Sequence, residues 1–252
     1  MPFRFYVLMG VIGLGLLAGA LWDGREKARL IQAGFPEILS EPGLVQASVS
    51  RGRHLFQANC QTCHQSDARG DAGHGVPDLT DGVWLHGEGT PQEIERLISH
   101  GIRAHDPRGA GSLAYMPAYG RETPYGPYPI EPLTPAQISL MADYILSLSG
   151  KMPADSSATV MAREIYDQSA GCSDCHGADA RGDSAIGAPD LTQGKRLWGD
   201  GGRQSLIISI SEGRAGACPA FRRRLNAVQI RDLTLYLHSL NPASPARPGM
   251  GQ

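Results

Sequence analysis

Apolar residues recur at helical spacing in six stretches of the chain, which fall into two similar sets of three. Each set has an opening helix, a short middle helix that glycine ends, and a closing helix. The predicted helices are 48–59, 92–101 and 134–149 in the first set and 159–170, 204–213 and 226–240 in the second. This repetition predicts an all-α fold of two tandem domains.

An uncharged apolar run precedes the repeats, from Phe5 to Trp22 after Arg4. At about 1.5 Å per helical residue it is long enough to cross most of a bilayer core. Its length and Trp22 favour a membrane anchor, whereas its glycines and the small triplet Ala18-Gly19-Ala20 are typical of a cleaved signal segment. We predict a single N-terminal transmembrane helix, with a signal segment as the alternative.

These patterns divide the chain. The predicted parts are an anchor or signal segment (1–24), a juxtamembrane linker (25–47), a first domain (48–150), a linker (151–158), a second domain (159–240) and a disordered tail (241–252). We call 48–150 and 159–240 the first and second copy.

Composition limits what the two domains contain and bind. Aromatic residues make up 6% of the chain, with 3 Trp and 5 Phe, which is few for two small cores. A large apolar cofactor in each domain would supply the missing bulk. The net charge is -2 and no block rich in Lys and Arg is present, so nucleic acid is not an expected partner.

Each copy contains one Cys-x-x-Cys-His motif, Cys60 to His64 and Cys172 to His176, 112 residues apart. Two thiols three positions apart on one helical turn can each bond a haem vinyl group, and the next imidazole then lies under the iron. A zinc site or a redox dithiol needs no such histidine. We therefore predict two covalently bound haem c groups; the residues that hold them are Cys60, Cys63, His64, Cys172, Cys175 and His176. Covalent haem attachment takes place outside the bacterial inner membrane, which predicts periplasmic domains.

A proline follows each motif at the same distance. Pro77 and Pro189 each lie 13 residues after the motif histidine, in the similar segments 75–80 and 187–192. In c-type cytochromes such a carbonyl accepts the Nδ1 hydrogen of the proximal imidazole and fixes the ring. An ordinary turn proline is the alternative.

A second protein ligand for each iron is expected on a loop before the closing helix, because electron carriers keep their iron fully coordinated. In the first copy the candidate is Met116, followed by Pro117-Ala118-Tyr119. Four histidines lie between motif and methionine and are rivals: His74, His86, His100 and His105.

The second copy has Cys218 in the place of the methionine, followed by Pro219-Ala220-Phe221. As a thiolate ligand Cys218 would stabilise ferric iron and lower the potential of its haem. The alternatives are an open or weakly held site, or another donor; these donors are Met152, Met161 and His238.

The chain resembles the diheme c-type subunit of cbb-type cytochrome c oxidases, or a diverged paralogue of it. The similarity includes the segments 77–87, 100–103, 116–120, 143–150 and 236–240. It implies a membrane-anchored, periplasmic pair of class I cytochrome c-like domains. These take electrons from a soluble cytochrome c or the bc complex and pass them to the oxygen-reducing core subunits. Transferred position by position, the resemblance implies that His64 and Met116 are the two axial ligands of one iron, and that His176 and residue 218 are those of the other.

The chain departs from that family at a few positions. Cys218 replaces a methionine, and Arg196 stands where the first copy has Trp84. These differences keep two other functions open: an oxidoreductase of sulfur compounds that uses a Cys-ligated haem, and a haem sensor in which Cys218 is a labile ligand. The nearby run Arg222-Arg223-Arg224 is interpreted as a solvated face or a docking patch.

Overall fold

The computed structural model describes residues 24–111, 114–125, 128–151, 156–193 and 197–241. The predicted anchor at 5–22 and residues 242–252 of the predicted tail lie outside these ranges. Within them, no helix has both the length and the apolar character needed to cross a membrane.

The described residues are mostly helical. The elements are α1 (24–32), α2 (Phe35–Leu39), α3 (Pro42–Asn59), α4 (Gln61–His64), α5 (Pro91–His100), β1 (Thr123–Tyr125), β2 (Tyr128–Ile130), α6 (Pro135–Leu148), α7 (Ser156–Glu164), a π-helix (Ile165–Ser169), α8 (Ser173–His176), α9 (Arg203–Glu212) and α10 (Ala227–Leu240). All six predicted helices are confirmed, although the first begins already at Pro42. The two short strands pair antiparallel, with Thr123 opposite Ile130.

Local sequence determines where several helices start. Three of them begin with a capping box, in which the residue before the helix and the third helical residue bond each other's backbone N–H. The pairs are Thr90 with Glu93, Thr134 with Gln137 and Asn226 with Gln229. The middle helices end at Gly101 and Gly213, as predicted.

Most of the segment 25–47, predicted as a juxtamembrane linker, is helical and part of a core. Leu30 and Ile38 are fully buried and Phe35 nearly so. The guanidinium of Arg231, on α10, lies 4.4 Å from the Phe35 ring centroid and donates to the carbonyl of Ala33 at 3.1 Å. Amphipathic spacing in α1 and α2 thus extends the folded protein upstream of the first copy.

Buried side chains form two separate hydrophobic cores. The first core contains α1, α2, α3, α5 and α10, and Cys60 packs against it. The second core contains α6, α7, the π-helix and α9, and Cys172 packs against it. The closing helices are therefore exchanged: α10 of the second copy packs on α3 and α5, and α6 of the first copy packs on α7 and α9.

The exchange is reciprocal, because equivalent aromatic residues meet in both cores. In the first core Phe56 of α3 contacts Tyr236 of α10, with ring centroids 5.4 Å apart. In the second core Tyr166 of the π-helix contacts Tyr144 of α6, with centroids 5.8 Å apart. Each closing helix thus contributes the same residue type to the opening helix of the other copy.

The two chain segments cross between the cores side by side. Ile102 forms an antiparallel bridge with Cys218, and Met116 forms one with Arg214. Arg103 joins both segments, since its guanidinium donates to the carbonyls of Ala114 and Gly216 at 2.7 Å each.

The crossing segment of the second copy is short. Only residues 215–217 lie between Arg214 and Cys218. A short hinge favours exchange of identical elements, because an extended segment carries the chain away more easily than it reverses it. The ranges 48–150 and 159–240 therefore mark repeated sequence, but the closing helix of each packs in the core of the other.

Gly52 marks the closest approach of α3 and α10, which predicts a strong effect of a single methyl group there. A Cβ atom on Gly52 would overlap the carbonyl oxygen of Asp232 and lie 2.6 Å from Cβ of Tyr236. We expect Gly52→Ala to lower the free energy of unfolding by about 1–3 kcal/mol, because overpacking forces the helices apart. Denaturant unfolding followed by circular dichroism measures this change.

Gly43 offers a matched control on the same helix. A Cβ atom there meets nothing within 4 Å. Gly43→Ala is expected to leave the free energy of unfolding unchanged or to raise it by up to about 1 kcal/mol, because alanine is the better helix former. Equal effects of the two substitutions would show that the close crossing does not limit stability.

Candidate haem sites

Each Cys-x-x-Cys-His motif forms one tight helical turn. In the first, the backbone N–H of Cys63 and of His64 both donate to the carbonyl of Cys60, at 3.1 and 2.9 Å. In the second, Cys175 and His176 donate to the carbonyl of Cys172 at 3.3 and 2.9 Å. The turn brings both sulfurs and the imidazole of each motif together, as double thioether attachment requires.

Both motif histidines contact the predicted prolines. Nδ1 of His64 lies 3.3 Å from the carbonyl oxygen of Pro77, and Nδ1 of His176 lies 3.0 Å from that of Pro189. With Nδ1–H donating to this carbonyl, Nε2 is the atom that presents a lone pair to a metal. The bond also fixes the imidazole orientation and raises its basicity as a ligand.

Burial raises the pKa of the thiols next to the cores. Burial, followed by the neighbouring thiols of Cys218 and Cys63, raises the pKa of Cys60 to about 11. Burial raises the pKa of Cys172 to about 12 and that of Cys218 to about 11. These positions suit covalent attachment or a metal charge, because a bare thiolate there would be poorly solvated.

Each candidate sixth ligand packs against the core that holds the motif of the other copy. Cys218 packs against the first core beside Cys60, and its segment is bridged to Ile102 at the end of α5. Met116 packs against the second core, as Cys172 does. The exchange places Cys218 in the core of the first motif and Met116 in the core of the second, an arrangement that differs from the predicted pairing of His64 with Met116 and of His176 with Cys218.

Most of the alternative ligands are paired with a carboxylate, exposed, or buried within a helix. Nδ1 of His74 lies 2.8 Å from Oδ2 of Asp71, and Nδ1 of His100 lies 2.9 Å from Oδ2 of Asp106. His105 and Met161 are exposed, whereas His238 is buried within α10. Met152 lies outside the described residues. His86 is buried between the two copies, with its ring over Gly187.

Asp106 is a residue that sequence reasoning missed. Its carboxylate lies 2.9 Å from Nδ1 of His100 and 2.9 Å from Nε of Arg222. The hydrogen bond from His100 and that from the Arg108 backbone are the main causes that hold the pKa of Asp106 well below its usual range. The carboxylate ties the segment after Cys218 to α5, so Arg222 of the arginine run has a structural contact.

The first site also contains a buried hydrogen-bond donor that a haem carboxylate could accept from. Trp84 packs against the first core. Its buried Nε1 has no hydrogen-bond acceptor among the residues that the structure describes. A buried N–H without an acceptor is costly, and a haem carboxylate would satisfy it. The donor set of two thiols, one oriented imidazole and one sulfur in each core fits haem c. Across the described ranges, no three His, Cys, Asp or Glu side chains form a metal cluster.

The chain is similar to several curated proteins. It is 33% identical over 229 residues to the Cbb3-type cytochrome c oxidase subunit FixP of Sinorhizobium medicae (strain WSM419), covering 91% of this chain and 73% of that protein. It is 36% identical over 213 residues to FixP of Azorhizobium caulinodans, covering 84% and 67%. The identity to the subunit CcoP of Azospirillum brasilense is 37% over 209 residues, covering 81% and 66%.

Among solved structures, the chain is similar to the Kuenenia stuttgartiensis reducing HAO-like protein complex Kustc0457/Kustc0458. The identity is 19%, the TM-score is 0.20, and the match covers 76% of this chain and 96% of that chain. This likeness is too weak to inform the fold or the site.

The helical fold and the doubled attachment motif define a c-type cytochrome. The Cytochrome c family model matches residues 49–149, and the model for Cytochrome C oxidase, cbb3-type, subunit III matches residues 161–237. The chain belongs to the family of cbb3-type cytochrome c oxidase subunits FixP and CcoP. Its role is that of a cytochrome c in electron transfer, with covalently bound haem c.

Proposed function

We propose that the chain carries one haem c at each motif and relays single electrons within a respiratory oxidase. The observation that carries this proposal is the doubled site, in which both motif turns, both His–Pro contacts and one sulfur per core recur. When bound, each haem iron supplies a one-electron ferric–ferrous change.

The protein's own residues would complete the coordination of each iron from both sides. His64 with Cys218 would hold the iron in the first core, and His176 with Met116 the iron in the second. Pro77 and Pro189 would hold the two imidazoles in place through Nδ1. Two saturated irons suit electron relay, because full coordination limits rearrangement and excludes oxygen.

The partners and the location follow from the family and from the apolar N-terminal run. A soluble cytochrome c or the bc complex would donate electrons, and the core subunits of a terminal haem-copper oxidase would accept them. Residues 5–22 would anchor the chain in the bacterial inner membrane with the haem sites in the periplasm. The homology to FixP and CcoP supports this arrangement.

Mass and kinetics test the relay. Intact mass of the purified protein is expected to exceed the polypeptide mass by two haem groups. Mixing with a reduced soluble cytochrome c in a stopped-flow instrument is expected to reduce the haem at Cys172 and Cys175 within milliseconds, whereas a thiolate-ligated haem at Cys60 and Cys63 stays ferric because its potential is lower. Addition of oxidase core subunits with oxygen should then reoxidise the reduced haem. Only one haem group, or no reduction by the cytochrome, would contradict the proposal.

Cys218 supports a second candidate, a haem with its own chemistry or a sensor function. Its thiol stands at the position of a methionine ligand and lies in the first core. Carbon monoxide added to the reduced protein separates the candidates. An unchanged spectrum agrees with a saturated carrier, whereas binding at the haem of Cys60 and Cys63 would favour the oxidoreductase or the sensor.

A further inference from the structure

Two aromatic rings lie in the contact between the copies, outside the Cys-x-x-Cys-His motifs. The Trp198 ring of the second copy lies directly over Gly75 of the first, so that a Cβ atom on Gly75 would overlap it. The His86 ring of the first copy lies over Gly187 of the second in the same way. In each case a ring of one copy covers the backbone just before the proline that contacts the motif histidine of the other.

The backbone repeats this symmetry. The N–H of Gly87 donates to the carbonyl of Ser184 at 3.2 Å, and the N–H of Gly199 donates to the carbonyl of Ala72 at 2.7 Å. All the paired positions differ by the same 112 residues that separate the motifs. The contact is thus a pseudo-twofold interface, in which the same surface of each copy meets its equivalent.

Glycine is required under each ring. Gly75 and Gly187 have φ of +67° and +77°, in the left-handed region, and neither position has space for a Cβ atom. Gly75 lies two residues before Pro77, and Gly187 two before Pro189. The rings therefore pack directly on the segments that contain the carbonyl acceptors of His64 and His176.

One ring packs against an arginine of the crossing segments, and the other is buried. The Arg214 guanidinium lies 4.5 Å from the Trp198 ring, and its backbone is bridged to Met116. His86 is 6% exposed, and its Nδ1 has no hydrogen-bond partner among the residues whose positions are described. Burial and the charges of Arg103 and Arg96 lower the pKa of His86 to about 4, so that it packs as a neutral aromatic ring.

We propose that Trp198 and His86 are positioning residues for the proximal histidine of the opposite copy, Trp198 for His64 and His86 for His176. Each ring excludes water from the proline segment and keeps its carbonyl on Nδ1 of the imidazole. Solvent access and the Nδ1 hydrogen bond both tune a metal's potential, so each ring sets the potential of the haem in the other copy. This inference rests on the proposed haem attachment at both motifs.

The test is a redox titration of full-length variants. Single-motif proteins, Cys60→Ala/Cys63→Ala and Cys172→Ala/Cys175→Ala, assign the two midpoint potentials. We expect Trp198→Ala to lower the midpoint of the haem at Cys60 and Cys63 only, because water replaces the ring. We expect His86→Ala to lower that of the haem at Cys172 and Cys175 only. In both, exchange of the affected imidazole Nδ1–H with solvent should become faster by nuclear magnetic resonance.

Conservative variants separate positioning from folding. Trp198→Phe and His86→Phe keep an aromatic ring over the glycine and are expected to retain the parental midpoints. If an alanine variant fails to fold, a leucine variant at the same position replaces it. The midpoint of the leucine variant is then compared with that of the phenylalanine variant. A shift in the haem of the ring's own copy, or no shift, would overturn the inference. If the intact mass of a variant lacks a haem group, this result counts instead against haem attachment, on which the inference rests.

Discussion

Replacing Cys218 with Met is expected to raise the midpoint potential of the haem at Cys60 and Cys63 by on the order of hundreds of millivolts. A thiolate places negative charge on the iron and stabilises the ferric state, whereas a thioether is neutral. Burial raises the pKa of the Cys218 thiol to about 11 in the polypeptide, so the charge of a bound iron is what favours its deprotonation. A redox titration of Cys218→Met beside the parent protein measures the shift.

The control for this prediction is another sulfur-containing residue away from both motifs. Met161 is 57% exposed on α7, and Met161→Ala should leave both midpoints in place. Two unchanged midpoints in Cys218→Met would show that the thiolate is not a ligand. A shift confined to the haem at Cys172 and Cys175 would show that the two sulfurs are not exchanged in solution.

Met116→Ala is expected to open the sixth coordination position of the haem in the second copy, although Met116 belongs to the first. Met116 packs against the second core with Cys172, and its backbone is bridged to Arg214. Loss of the thioether should lower that midpoint by on the order of a hundred millivolts or more, because thioether ligation favours ferrous iron. Carbon monoxide should then bind the reduced haem at Cys172 and Cys175.

Met141 provides a matched methionine in the same core. It is 1% exposed on α6, and Met141→Leu conserves its volume, so both spectra should stay unchanged. The assignment uses the single-motif variants as before. If carbon monoxide instead binds the haem at Cys60 and Cys63 in Met116→Ala, then Met116 serves its own copy and the exchange of ligands fails.

Sequence periodicity predicted the helices and the attachment turns because those features depend on nearby residues. The spacing from His64 to Pro77 is local in the same sense, and so is the capping of α5, α6 and α10. The π-helix was missed, although Tyr166 lies two residues further from its motif than Phe56 does from its own. A π-helix has more residues per turn than an α-helix, so it can take up added residues without ending the helix.

The exchange of closing helices could not be predicted from the same pattern. Because α6 and α10 have similar apolar faces, either one could bury itself on α3 or on α7, and periodicity does not distinguish the partners. The bonds of Arg103 to Ala114 and Gly216 connect the crossing segments, and the bond to Gly216 joins residues that are 113 positions apart in the sequence. The contacts of Trp198 and His86 are also long-range, and only the equal spacing of the glycines beneath them indicates the relation.

The exchanged helices suggest how a duplicated gene of this kind could arise. Because α6 packs on α7, the closing helix of the first copy and the opening helix of the second are neighbours within the second core. An ancestral single-motif protein that formed an intertwined homodimer would have the end of one subunit beside the start of the other. Fusion through a few residues would then join the subunits without repacking either interior, and later divergence, such as methionine to cysteine, could give the two halves different electronic properties.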